Sequence, residues 1–204
     1  MHSLRGKRAL ILSGERGLGK TSLVLELAAL LRAAGRSVGG IASLSERGGD
    51  GIPTEVSLVD LRSGESRALA SRSRDLGGPS LPGRRWSPES MAEPPPFSFS
   101  REALAWGAET LRREIEAAPD LLVLDEVGPL ELTRGSGFRE VLDELALAAG
   151  RPGGPRGVPR VLVTVRPSLA AVLAARFTAG TAAVVELTEE NRGSLAEKIA
   201  KRLA

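Results

Sequence analysis

The stretch Gly14-Glu15-Arg16-Gly17-Leu18-Gly19-Lys20-Thr21 fits G-x-x-x-x-G-K-[ST], the Walker A pattern of a loop that cradles phosphates. The residue types suit that chemistry. Glycines let a backbone turn its amides inward around an anion, with no side chain in the way. A helix that starts where the loop ends adds partial positive charge at the same point. Lys20 would reach the outer phosphates and the Thr21 hydroxyl would hold magnesium, with Ser22 next in the same turn.

A second signature, of the Walker B kind, lies a hundred residues on. Leu121-Leu122-Val123-Leu124 is an apolar run that ends in Asp125 and Glu126, carboxylates at the strand end where α/β sheets place ligands. Phosphoryl transfer needs charge neutralisation, a phosphate cradle and an oriented nucleophile more than covalent chemistry by the protein. Asp125 is the natural magnesium partner across from Thr21, on the expectation that the two strands involved lie side by side. Glu126 would point toward the γ-phosphate and orient, or take a proton from, the attacking water. A carboxylate pair at a strand end also serves as a helix cap or a solvated loop, but it coincides here with a phosphate loop.

Asp125-Glu126-Val127-Gly128 also fits D-x-x-G, a pattern of guanine-nucleotide switches. The N-K-x-D base-reading element is missing, because the corresponding strand ends in Thr164-Val165-Arg166-Pro167. Thr164 has two readings, a hydroxyl on the water or γ-phosphate and a β-branched packing residue. Arg16, Arg47, Arg166 and Arg192 each have two readings, a charge that approaches the nucleotide and stabilises the transition state and a solvated surface charge. Trp106 reads as helix packing and Trp86, in a loop, as the better candidate for stacking on a base.

These residues need a frame. Arg8 to Ser13 is a short apolar run of the kind a buried parallel strand requires, and Leu23, Leu27, Leu30 and Leu31 recur at helical spacing from Thr21 to Ala34, with Gly35 as the stop. Ser37 to Leu44 reads as a second strand, followed by a polar loop from Ser45 to Gly51. Thr54 to Leu61 and Ser66 to Ser71 then read as a hairpin about a turn at Arg62 to Glu65. Arg72 to Pro96, rich in Gly, Pro, Ser and Arg, reads as a long basic surface excursion.

Order returns at Phe97 to Phe99. Ser100 is placed to cap a helix through Ala118, with Leu104, Leu111 and Ile115 facing the core. Further helices are expected from Phe138 to Ala149, from Pro167 to Phe177 and from Thr188 to Leu203. Strands are expected from Arg160 to Val165 and from Ala182 to Leu187, with a Pro/Gly-rich loop from Arg151 to Pro159. The alternation predicts an α/β fold, a mainly parallel sheet flanked by helices.

A chain of 204 residues suits one such domain over residues 1–204. With 28 Lys+Arg against 25 Asp+Glu, the net charge of +3 is only a weak argument for nucleic acid. The absence of cysteine excludes disulfides, thiolate metal sites and cysteine nucleophiles. No apolar stretch is long enough to span a bilayer, so a cytoplasmic protein with no membrane partner is expected.

Together these stretches resemble the small nucleoside-triphosphatase family known from thermophiles and, in humans, as the cancer-related nucleoside-triphosphatase. The resemblance rests on Gly14 to Thr21, on Val56 to Glu65 with Leu69-Ala70, on Leu124 to Leu132 with Phe138, and on Asn191-Arg192. It implies a P-loop NTPase fold of the additional-strand type with an inserted β-hairpin. It also implies magnesium-dependent hydrolysis of ATP, GTP and other nucleoside triphosphates. Leu124 to Glu131 would be a nucleotide-contacting segment, in which Glu131 supports the site from behind or serves the structure. The basic segment before Pro96, and Leu130 where methionine is usual, depart from the pattern. Two other readings stand beside hydrolysis. One is a small-molecule or nucleotide kinase with the basic segment as lid, and the other is a nucleotide-dependent binding module whose protein partner is unknown.

Overall fold

The computed structural model describes residues 6–47, 53–72, 97–150 and 160–203. The expected excursion after Arg72, with Trp86, and the loop from Arg151 to Pro159 lie outside the described residues, as does the side chain of Arg47. Among the described residues no helix is long and apolar enough to cross a membrane.

Among the described residues eight strands form one sheet. In chain order they are β1 (Ala9–Ser13), β2 (Val38–Arg47), β3 (Pro53–Asp60), β4 (Ser66–Arg72), β5 (Phe97–Phe99), β6 (Leu121–Val127), β7 (Arg160–Val165) and β8 (Ala182–Glu186). Their spatial order is β5-β4-β3-β2-β6-β7-β1-β8. The five from β2 to β8 run parallel, and β3, β4 and β5 continue the sheet antiparallel. The central strands β1, β6 and β7 read as nearly unbroken apolar runs because helices cover both of their faces. On one face lie α1 (Lys20–Ala33) and α6 (Leu195–Leu203), which bury Leu23, Leu27, Leu31, Leu195 and Ile199 against Leu12, Val123 and Leu162. On the other lie α2 (Arg101–Ala117), α4 (Arg139–Gly150) and α5 (Pro167–Ala174), which bury Leu111, Leu142, Leu145 and Leu173 against Ile11, Leu124 and Val163. A short α3 (Pro129–Leu132), not expected from the pattern, follows β6.

The ends of the elements have local causes. Gly35 takes a positive φ of 74°, and the Arg36 N–H reaches back to the Leu31 carbonyl, closing α1. Ser100 caps α2 by accepting the Ala103 N–H at 3.1 Å. The β3–β4 hairpin closes through Asp60 N–H to Glu65 C=O at 2.8 Å.

Three expectations need correction. The strand after α1 runs on to Arg47 because Ser45 and Glu46 pair with Val56 and Glu55, so the polar residues there extend the hairpin sheet. The last helix begins at Leu195, not Thr188. Thr188 and Asn191 hold a turn before it, the Asn191 side chain accepting the Thr188 N–H at 3.0 Å and donating to the Glu186 carbonyl at 2.8 Å. Finally, β1 and β6 are not neighbours, because β7 pairs with both.

Candidate functional site

The loop between β1 and α1 is built around two glycines at positive φ, Gly17 at 81° and Gly19 at 98°. An L side chain there would cost about 1–2 kcal/mol in strain. Gly19 cannot cap α1 with a side chain, and the first turn carries no acidic residue, so the leading N–H groups of α1 are open to an anion. Gly14, buried at the start of the loop, packs so close to Leu187 that an added Cβ would stand 3.1 Å from the Leu187 Cβ. The loop is anchored on both sides: the Gly14 N–H donates to the Val165 carbonyl at 3.2 Å, and the Leu187 N–H to the Ser13 carbonyl at 2.7 Å.

Lys20 is folded over its own loop. Its Nζ donates to the carbonyls of Gly14 at 2.7 Å and Glu15 at 2.9 Å. Burial pushes the ammonium below its ordinary value, while the Glu126 and Asp125 carboxylates push it back up. Glu15, Arg16, Gly17 and Ser22 are exposed and Leu18 half-buried, so the rim of the loop faces outward.

Asp125 is 2% exposed and receives three donors. Its Oδ2 accepts the Thr21 hydroxyl at 2.7 Å and the Ser43 N–H at 3.1 Å, and its Oδ1 accepts the Thr164 hydroxyl. Burial pushes this carboxyl upward, and the three donors with the Lys20 charge oppose it. The Thr21–Asp125 contact forms although β7 separates their strands, because α1 packs across the sheet onto β6 and β2. A hydroxyl and a carboxylate oxygen that meet at 2.7 Å are hard oxygen donors. They fit magnesium, an ion that commonly keeps the rest of its coordination for water and phosphate. Among the described residues no group of three or more His, Asp or Glu forms an all-protein metal cage.

Glu126 has a φ of 65°, left-handed for a residue with a Cβ. That conformation costs about 1–2 kcal/mol and is found where surrounding structure imposes it. The imposing structure is a β-bulge. Leu124 pairs with Val163 and Val127 with Val165, so Asp125 and Glu126 together stand opposite the single residue Thr164. Glu126 opens to solvent at the mouth of the site, yet the protein around it still removes enough water to raise its carboxyl above the ordinary value. Asp125 adds to that rise, and Lys20, Arg16 and Arg166 oppose it. An upward-shifted carboxylate is a better base toward a water proton than an ordinary one.

The other expected residues fall differently. Leu124 is fully buried in the core. Glu131 is 5% exposed, and its carboxylate accepts the N–H of Gly128 at 3.0 Å and of Phe138 at 3.3 Å, tying α3 to the start of α4. Thr164 is fully buried, with its hydroxyl spent on protein groups. Trp106 is partly buried under the Arg67 guanidinium, which lies 4.9 Å from the ring centroid. Of the four arginines, Arg16 and Arg166 are the two whose charges bear on Glu126, whereas Arg192 is exposed.

Sequence reasoning missed the Ser43 amide, since a backbone donor leaves no mark in a residue pattern. It also missed a charged network under the hairpin turn. Arg62 grips Glu114 with two hydrogen bonds, of 2.7 and 2.6 Å, and Asp60 accepts the Arg62 N–H, the Ser63 hydroxyl and the Arg113 guanidinium. The alternation of acid and arginine in Asp60-Leu61-Arg62 was its only visible trace.

The family described as NTPase matches this chain over residues 9–200. A curated protein named nucleoside-triphosphatase THEP1 from Caldivirga maquilingensis is 29% identical over 136 residues, covering 67% of this chain and 68% of that protein. Another of the same name, from Methanopyrus kandleri, is 32% identical over 123 residues, covering 60% of this chain and 58% of its own length. Among solved structures, that of THEP1 from the hyperthermophile Aquifex aeolicus superposes with a TM-score of 0.63 at 18% identity. It covers 96% of this chain and 98% of that one, a likeness of fold.

Proposed function

The chain belongs to the NTPase family, and on that premise we propose that it hydrolyses nucleoside triphosphates, ATP and GTP among them, to the diphosphate and phosphate with magnesium as cofactor. The observation that carries the reading is the convergence of two distant segments. Thr21, beside Lys20 at the head of α1, is hydrogen-bonded to Asp125, and Glu126 follows at the mouth of the same site.

The loop amides and the α1 N-terminus receive the phosphates. Lys20 exchanges the carbonyls of Gly14 and Glu15 for phosphate oxygens, which match a cation better than neutral carbonyls do. Thr21 and Asp125 would hold magnesium, which when bound neutralises phosphate charge. Glu126 orients a water toward the γ-phosphorus. As the water oxygen bonds to phosphorus, the bond to the β,γ-bridging oxygen breaks, and the proton of the water passes to Glu126. Arg166, at the junction of β7 and α5, and Arg16, in the loop, supply positive charge beside it.

The test is phosphate release from γ-labelled ATP, GTP, CTP and UTP, with magnesium and with excess chelator, for the parent and for Glu126→Gln. Parent activity that the chelator abolishes is expected. Glu126→Gln should lose about 10²–10⁴-fold in rate while nucleotide binding stays within a few fold. A variant that hydrolyses at the parent rate refutes the role of Glu126. Label passing to an added nucleoside or nucleotide, in place of free phosphate, would make the protein a kinase.

A further inference from the structure

Strict alternation along β6 would place Asp125 and Glu126 on opposite faces of the sheet. The neighbours show which faces those are. Val123 packs with α1 and Leu124 with the opposite layer, so Asp125 falls on the α1 side, where it meets Thr21. An unbroken strand would send Glu126 into the opposite core. Val127 fills that place instead, packed in the same cluster as Leu124 and paired with Val165. Glu126 is therefore the extra residue of the bulge, thrown out at the mouth of the site.

At the residue opposite the bulge, one hydroxyl serves both partners. The Thr164 Oγ1 accepts the Glu126 N–H at 2.8 Å and donates its proton to Asp125 Oδ1. A ladder would satisfy that N–H with a backbone carbonyl of β7. Here a side chain does so, and only a side chain can at the same time grip the neighbouring carboxylate. We propose that Thr164 is the positioning residue of the acidic pair: its hydroxyl stabilises the bulge that turns Glu126 outward and locks the water-orienting carboxylate to the metal-binding one as a single unit. This rests on the hydrolase reading above and adds a residue that acts through Asp125 and Glu126 without touching substrate. Among the described residues the hydroxyl of the fully buried Thr164 has no other hydrogen-bond partner.

The experiment compares Thr164→Val, which keeps the branched shape and loses the hydroxyl, with Thr164→Ser, which keeps the hydroxyl. Each is made in the parent and in Glu126→Gln. Expected in the parent background is a fall in kcat of about 10–100-fold for Thr164→Val, as for other small misplacements of reacting groups, with nucleotide affinity within about threefold. Thr164→Ser should recover most of the loss. In the Glu126→Gln background the Thr164→Val effect should shrink, because one of the two carboxylates through which it acts is already disabled. An unchanged kcat, or a loss that adds in full to that of Glu126→Gln, overturns the proposal. If Thr164→Val does not fold, amide hydrogen exchange on the parent decides: the Glu126 N–H should be protected although its side chain is exposed, and free exchange refutes the proposal. A parent without hydrolysis would sink the hydrolase reading instead, while leaving the exchange result to judge the bulge.

Discussion

Removing the Arg62 guanidinium should destabilise the protein by an amount that the structure sets. Glu114 is fully buried on α2, with its Oε2 only 1.9 Å from where a Cβ on Gly39 would stand, so its carboxylate fills space against β2 and cannot swing away. Arg62 supplies both of its charge-assisted hydrogen bonds, at 2.7 and 2.6 Å. Breaking a buried pair costs about 3–5 kcal/mol, since the remaining charge stays desolvated. The Arg62 side chain is 46% exposed, however, so water entering the vacated space rehydrates part of the carboxylate. The cost for Arg62→Ala is therefore set lower, at about 2–3 kcal/mol.

For a chain of this length 1 kcal/mol is worth about 2–4 °C, which puts the fall in Tm at about 4–12 °C. Thermal and urea unfolding followed by circular dichroism measure it, and the urea midpoint should fall by about 1 M at unchanged slope. Arg62→Lys should recover only part, because an ammonium keeps the charge and loses the fork. The double change Arg62→Met with Glu114→Met should recover most of it by removing both charges. Phosphate release per folded molecule should hold below the transition, because Gly39 precedes Ser43 by about 13 Å of strand. An Arg62→Ala protein that melts within 2 °C of the parent would refute this account of the network.

Two further outcomes are expected. Arg166→Ala should lower kcat about tenfold or more with little change in nucleotide affinity, as befits a charge used mainly in the transition state, and steady-state kinetics beside equilibrium binding check it. Asp120 accepts the Ser37 N–H and hydroxyl, both at 2.8 Å, and these bonds hold its carboxyl below the ordinary 3.8. A depressed folded value gives stability that is present above the unfolded value and lost as pH falls through the folded one. The Asp120 side chain is 43% exposed and screened by solvent, so Asp120→Asn should cost at most about 1 kcal/mol at pH 7, and the gap to the parent should close below about pH 4 in unfolding curves taken across pH.

Much of this protein is written locally. The phosphate loop is a run of adjacent residues whose glycines, lysine and threonine carry their geometry with them, and the strands and helices around it follow from apolar spacing and the caps Ser100 and Gly35. The adjacency of Asp125 and Glu126 and their joint use were equally plain. How they come to share one site was not, because a period-two strand separates neighbours to opposite faces, and only the pairing of β6 with β7 reveals the extra residue that reunites them. The insertion of β7 between β1 and β6, the amides that occupy Glu131, and the turning of the Thr164 hydroxyl onto Asp125 and the Glu126 N–H were hidden for the same reason. Strand order and register come from contacts between residues far apart in the chain. A local pattern states which residues can do chemistry, and the long-range pairing energy settles where each of them points.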